Sequence, residues 1–255
     1  VTDLGLTGAV VLVTGGVRGV GRGISRVFLD HGARVITCAR HEPEVSTGTF
    51  VRCDVRDADQ VEAMTGRIVD EHGRLDVVVN NAGGSPFVPA AEASPNFSAK
   101  IVQLNLLAPL LVAQHANAVM QRQDGGGSIV MISSVSGTRP SPGTAAYGAA
   151  KAGLDNLTAS LAVEWAPRVR VNALDVGMVR TEQAHLHYGS EAAVAAVGKT
   201  VPLGRLAEPE EVGACAAFLA SGLASYVSGA TLRVHGGGEL PAFHASADVN
   251  YREGQ

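Results

Sequence analysis

The chain has 255 residues, 46% of them hydrophobic and 17% charged, with a formal net charge of −4. That length suits one α/β domain spanning residues 1–255, and the slight acidity leaves no basic excess to draw nucleic acid or an acidic membrane surface. The expected partner is a small molecule.

Short β-branched runs alternate with segments of helical spacing along the whole chain. The strand candidates are "AVVLVT" from Ala9, "ARVITCA" from Ala33, "TFVRCDV" from Thr49, "LDVVVNNAG" from Leu75, "GSIVMISS" from Gly127, "VRVNALDV" from Val169 and "ATLRVHGGG" from Ala230. Helical spacing covers Gly19 to His31, Asp57 to His72, Phe97 to Arg122, Thr144 to Trp165 and Pro209 to Ser221. Nearly continuous Val/Ile strands are buried on both faces, and their alternation with helices predicts parallel βαβ units in a doubly wound sheet. Between Arg40 and Phe50, "HEPEVSTGT" is too short and too rich in turn formers for a crossover helix, so a loop or single turn is expected there. From Leu240 onward the mixed polarity fits either a docked tail or a free end.

Cys38, Cys53 and Cys215 are far apart in sequence, lie in apolar surroundings and have no CxxC spacing. They read as buried thiols of a cytoplasmic protein, not as a disulfide framework or a zinc site. No apolar run approaches the roughly 18 to 20 residues of a spanning helix, so no membrane is expected.

In "VLVTGGVRGVGRGI", Gly15, Gly19 and Gly21 fall between a strand and a helix. Glycines there permit the tight turn and close backbone approach that a pyrophosphate needs, and the helix start offers free N–H groups to an anion. Readers of NAD(H) usually carry an acid at the end of the second strand for the ribose 2′-OH, whereas this chain has "CARH", with Arg40 at that point. Arg18 lies inside the glycine loop. Two guanidinium groups suit a 2′-phosphate through charge-assisted hydrogen bonds, so NADP(H) is the expected coenzyme, with NAD(H) second.

Tyr147 and Lys151 are four apart on a predicted helix and share a face, and Ser134 closes the preceding strand. A phenol with a pKa near 10 is a poor base at neutral pH. A nearby ammonium and a cationic nicotinamide favour the phenolate, and a shift of about 3 units corresponds to roughly 4 kcal/mol. Tyr147 is thus expected to exchange a proton, Lys151 to tune it, and Ser134 to hold the substrate oxygen as its charge changes.

With these residues in hand, the chain resembles the short-chain dehydrogenase/reductase family over nearly its whole length. "TGGVRGVG" from Thr14, which contains Val20, is similar to the TGxxxGxG loop of the compact branch. The resemblance implies a Rossmann-type α/β fold, a parallel sheet of seven strands in the order 3-2-1-4-5-6-7 with helices on both faces. It implies an adenine contact at Asp54, followed by Val55, and an adenosine-site lining from Asn81, Ala82 and Gly83 of "NNAG". Asn105 matches the helix asparagine that anchors a relay water and completes a tetrad with Ser134, Tyr147 and Lys151. "VNALDVGMVRT" is similar to NxxxPGxxxT through Asn172, Gly177 and Thr181, with the Val179 backbone holding the carboxamide. Val176 replaces the proline, which is expected to loosen the turn.

The family further implies a homotetramer packed through the long helices after strands four and five. The activity implied is ketone and secondary alcohol interconversion with NADP(H). Two alternatives stay open: a 3-oxoacyl-thioester reductase serving an acyl carrier protein, and a nucleotide-sensing protein without turnover. Substrate selection is expected from "GSPFVPA", "VSGTRPSPGTA" and "EQAHLHYGSEAA", which bring Phe87, Val88, Leu186 and Tyr188 together with Arg139, His185 and His187. The two histidines, two apart, do not form a metal pair.

Overall fold

The computed structural model describes residues 4–245, apart from the side chains of His187, His244 and Ala245. Seven strands form one parallel sheet in the order β3-β2-β1-β4-β5-β6-β7, as the resemblance implied. They are β1 (Val10–Thr14), β2 (Arg34–Ala39), β3 (Thr49–Arg52), β4 (Val77–Asn80), β5 (Gly127–Ser134), β6 (Val169–Val176) and β7 (Thr231–Val234). Every described pair of neighbours is parallel, from Ile36 opposite Thr49 at one side to Val176 opposite Val234 at the other.

Alternation along each buried strand feeds two cores. Val10 and Leu12 of β1 join Ile36, Val78, Ile129 and Met131 under α2 (Ala58–His72), α4 (Ala108–Met120) and α5 (Ala145–Glu164). Val11 and Val13 join Val35, Val79, Val130 and Leu174 under α1 (Gly19–Asp30) and α8 (Pro209–Ala220). A strand of this kind has no polar face to give to water, which is why its sequence reads as an unbroken apolar run. The stretch from Arg40 to Gly48 contains no helix, as its length and turn formers predicted.

The segment expected as one helix over Phe97 to Arg122 is α3 (Pro95–Val102), a π turn over Gln103–Leu107, and α4. Pro109 accounts for the irregularity: it has no N–H, and its ring crowds the carbonyl four residues back, that of Asn105. The helical path over Pro95–Met120 covers 26 residues and contains an 18-residue window with a mean hydropathy of 1.3, long and apolar enough by length and composition to cross a membrane. This corrects the expectation that no segment reaches such a length. Its Ile101, Val112, Ala113, Ala116 and Met120 are buried.

Two short helices, α6 (Ala184–Tyr188) and α7 (Glu191–Gly198), stand where the sequence showed only a loop. Ser190 caps α7 by accepting from the Ala193 N–H at 3.3 Å. The cysteines also differ from their sequence spacing. Cys38 and Cys53 are both buried and their thiols are hydrogen-bonded to each other, because parallel pairing brings the ends of β2 and β3 side by side. All three cysteines are free. Leu240 docks through its N–H on the Thr200 carbonyl at 3.0 Å, and the tail beyond residue 245 lies outside the described residues.

Candidate active site

Parallel strands deliver all their carboxyl ends to one edge, where the following helices begin with their N–H groups facing the crevice. At that edge the glycine loop is held from three sides. The Gly15 N–H donates to the Cys38 carbonyl at 2.8 Å. Asn81 Nδ2 donates to the Thr14 and Gly15 carbonyls at 2.9 and 3.3 Å, and Thr14 Oγ1 accepts from the Asn81 and Ala82 N–H groups at 3.0 Å each. Gly15 has φ +63, in the left-handed region that favours glycine. A Cβ on Gly21 would land on the Gly15 carbonyl oxygen and Asn81 Nδ2. The loop therefore forms a cradle that only backbone can line, and Val20 continues it into α1.

Along the same edge, Asp54 receives both arms of Arg56, at 2.9 and 2.6 Å, and that hydrogen bonding holds its carboxyl below the usual range. Val55 beside it is buried. Arg18, the N-cap of α1, and Arg40, directly after β2, are both exposed, and neither is in a salt bridge among the described residues. The charge of Arg40 reaches Asp54 and helps to keep it ionised.

The four predicted tetrad residues are drawn together from β5, α5 and the π turn. Ser134 ends β5, accepts from the Ser136 N–H at 3.2 Å and is hydrogen-bonded to Tyr147. Lys151 is 4% exposed, and its Nζ lies 5.5 Å from the Tyr147 ring centroid and donates to the Ile132 carbonyl at 2.7 Å. Asn105 is fully buried. Its Nδ2 donates to the Ile101 and Gly84 carbonyls at 2.9 and 3.0 Å, and its Oδ1 accepts from the Gly84 N–H at 2.8 Å. A Cβ on Gly83 would stand 2.7 Å from Asn105 Oδ1 and 3.5 Å from Lys151 Nζ, so this loop closes the gap between coenzyme side and tetrad.

The electrostatics differ in one respect from the simple picture of a lysine that acidifies a tyrosine. Burial pushes the Tyr147 phenol up, the Ser134 hydrogen bond pulls it down, and the charge of Asp175 pushes it up again. Burial also brings Lys151 down to about 8, with Asp155 opposing. In the protein alone, then, the phenol stays protonated at neutral pH, and desolvation outweighs any attraction from the ammonium.

Sequence reasoning did not find Asp155, Asp175, Glu182 or Glu239. Asp175 is completely buried in β6, accepts weakly from Thr138 Oγ1 at 3.4 Å and lies 3.8 Å from Arg233. Asp155 sits one turn beyond Lys151, where burial pushes its carboxyl up and the nearby Ser133 hydroxyl, which donates to the Lys151 carbonyl at 3.3 Å, pulls it down. Their signals were a carboxylate inside an apolar strand and an acid four residues after the lysine. Glu239 pairs with Arg139 at 2.6 Å, and the charges of both act on the Tyr188 phenol.

Of the expected substrate loops, the first two touch: the Val88 N–H donates to the Gly143 carbonyl at 2.8 Å, and a Cβ on Gly143 would strike the Phe87 ring. Phe87 is 73% and Leu186 67% exposed. His185 Nδ1 meets the Glu182 carbonyl at 3.1 Å, while the side chain of His187 lies outside the described residues. Gly177 packs against His235, and Val179 bridges to Ala207. Thr181 approaches Gly19. Val176 does not loosen its turn: it remains in the ladder between Ser134 and Val234, and the Gly177 N–H donates to Val234 at 2.9 Å. A separate cavity of about 470 Å³, lined by Gly5, Asp76, Arg168, Arg170 and Ser221, opens at the opposite edge of the sheet, away from the tetrad.

A doubly wound sheet with a backbone-lined cradle one loop away from a half-buried tyrosine and a buried lysine belongs to an oxidoreductase that works with a nicotinamide dinucleotide. Comparison with known proteins makes this specific. Residues 15–239 match a family model described as Enoyl-(Acyl carrier protein) reductase. L-fucose dehydrogenase of Oryctolagus cuniculus is 38% identical over 246 residues, covering 91% of this chain and 86% of its own. The oxidoreductase UcpA of Escherichia coli K12 is 38% identical, covering 92% and 96%. The ligand-free aldohexose dehydrogenase of Thermoplasma acidophilum superposes with a TM-score of 0.89 at 32% identity, covering 99% of this chain and all of its own. The chain belongs to the short-chain dehydrogenase/reductase family, an enzyme family that acts on small molecules.

Proposed function

We propose that the protein interconverts a ketone and a secondary alcohol using NADP(H). The observation that carries this is the convergence of Ser134, Tyr147 and buried Lys151 beside Gly83, at the same sheet edge as the glycine cradle. The cradle lined by Gly15 and Gly21, the N–H groups at the start of α1, and the amine beside Gly83 fit a dinucleotide laid across that edge. When bound, the coenzyme supplies or accepts the hydride.

The chain's own residues handle the rest. Ser134 Oγ donates to the substrate oxygen and stabilises negative charge there. In reduction, the protonated phenol of Tyr147 gives its proton to that oxygen, and in oxidation it takes it back. Lys151 holds the ribose and favours the phenolate once the site is filled, and the carbonyl of Asn105, freed by Pro109, holds a water through which the proton is replaced. Arg18 and Arg40 clasp the 2′-phosphate; the absence of a carboxylate at Arg40 supports NADP(H) over NAD(H). Asp54, Val55, Asn81 and Ala82 line the adenosine side, while Gly177, Val179 and Thr181 frame the nicotinamide side.

A second reading, oxidation of a sugar hydroxyl, is favoured by the likeness to fucose and aldohexose dehydrogenases and by the Arg139–Glu239 pair as polar handles. The thioester alternative is supported by the family model's description. A screen of secondary alcohols, ketones, aldoses and 3-oxoacyl thioesters with both coenzymes separates the three. Tyr147→Phe should abolish turnover while leaving NADPH affinity within a few fold. A variant that still turns over near the wild-type rate removes Tyr147 from the reaction, and coenzyme binding without turnover across the panel favours the sensor reading.

A homotetramer packed through α4 and α5 is part of the same proposal, supported by exposed Leu107 and Val163, at 52% and 80%, and is checked by solution mass. The three free thiols support a cytoplasmic location.

A further inference from the structure

We infer that Glu182 is a built-in competitor for the coenzyme: its carboxylate occupies the amino end of α1, where the pyrophosphate must sit, and has to withdraw before a dinucleotide binds. The inference rests on the dinucleotide reading above and deepens it by naming a residue of this chain that sets affinity.

The start of α1 is built to attract an anion. Helix geometry leaves its first-turn N–H groups without intrahelical acceptors, and the helix dipole adds positive potential. Nothing local answers this, since the N-cap Arg18 makes no side-chain cap and the first turn contains no acidic residue. The acceptor comes instead from 163 residues away. Glu182 Oε1 accepts from the Gly19 N–H at 2.9 Å, and Oε2 stands 3.7 Å from an Arg22 guanidinium nitrogen. Partial burial opposes ionisation of this carboxyl. The N–H groups of Glu182 itself and Gly19, with the charges of Arg22 and Arg18, outweigh it and hold the group below its ordinary range.

A phosphate oxygen seeks the same donor for the same reason, and two anions cannot share it at hydrogen-bonding distance without strong repulsion. The exchange also has a reach beyond the cradle. Glu182 opens the segment that carries α6, its carbonyl meets His185 Nδ1, and Thr181 lies against Gly19. Arrival of the dinucleotide therefore cuts a tie between the coenzyme loop and a substrate loop.

The test is a fluorescence titration of NADPH and NADH against the full chain, its Glu182→Gln and its Glu182→Ala forms, with thermal unfolding of each protein alone. Both substitutions are expected to tighten dinucleotide binding by roughly tenfold, the scale of removing one close like charge. Glu182→Ala is also expected to unfold at a lower temperature without ligand, because α1 loses its acceptor, and to show a larger ligand-induced rise. Unchanged or weaker binding by both variants, with a wild type that binds dinucleotide, overturns this inference alone. A wild type and variants that bind neither dinucleotide overturn it together with the coenzyme reading.

Discussion

Lysine 151 carries a stability cost that can be measured. Its amine, 4% exposed, falls from an ordinary 10.5 to about 8 through burial, which corresponds to about 3 kcal/mol against the ammonium in the folded chain. In the unfolded chain the proton leaves near 10.5, and in the folded chain near 8. Between those values the unfolded state binds more protons, so stability rises with pH through that window, and the full penalty applies below pH 8. Lys151→Met keeps the length and the packing and removes the charge, at the loss of the hydrogen bond to the Ile132 carbonyl, worth about 1 kcal/mol. The variant should therefore be inactive yet more stable than wild type by about 2 kcal/mol at pH 7, with little or no gain at pH 10. Urea unfolding followed by the fluorescence of Trp165, the single tryptophan, gives both numbers at fixed protein concentration. A variant that is less stable at pH 7, or equally more stable at both pH values, refutes the claim that the folded site holds this amine under desolvation strain.

Arg40→Asp should move coenzyme preference from NADP(H) toward NAD(H) by roughly 100-fold in the ratio of kcat/KM values, through loss of a phosphate contact and gain of a ribose acceptor; an unchanged ratio removes Arg40 from the clasp. Asp175→Asn should shift the pH profile of alcohol oxidation to lower pH, since burial and then the Asp175 charge hold the Tyr147 phenol up and the substitution removes the second. A profile that does not move shows that the carboxyl exerts no field on the phenol.

What the sequence disclosed and what it hid divide along a physical line. Strands β1, β4 and β5 were legible because burial on both faces leaves a short run of Val, Leu, Ile and Met between turn formers, and β6 through its β-branched residues in the same alternation of strand and helix. The glycine cradle was legible because Gly21 tolerates no side chain against Gly15, and Tyr147 with Lys151 because a four-residue step fixes a shared helix face. The π turn was hidden behind strong helical periodicity on both sides, although Pro109, two residues beyond it in the first turn of α4, stood as a signal. The short helices α6 and α7 contain too few turns for periodicity to register. Contacts made by register across the sheet were out of reach altogether: nothing in a spacing of fifteen residues places Cys38 against Cys53.

The same line separates the tetrad from the groups that tune it. The order of residues along a helix or at a strand end reveals which side chains can meet, but burial decides their charge, and burial is a property of the packed whole. Tyr147 and Lys151 are both driven toward their neutral forms by the desolvation that also lets Ser134 reach the phenol. At neutral pH the phenol is protonated while Lys151, brought down to about 8, still carries its proton, and positive charge arriving in the crevice favours the phenolate. The phenol is thus held ready for an incoming cation instead of being ionised in advance, with the half-buried Tyr147 and the buried Lys151 set in a wall of alanine and glycine.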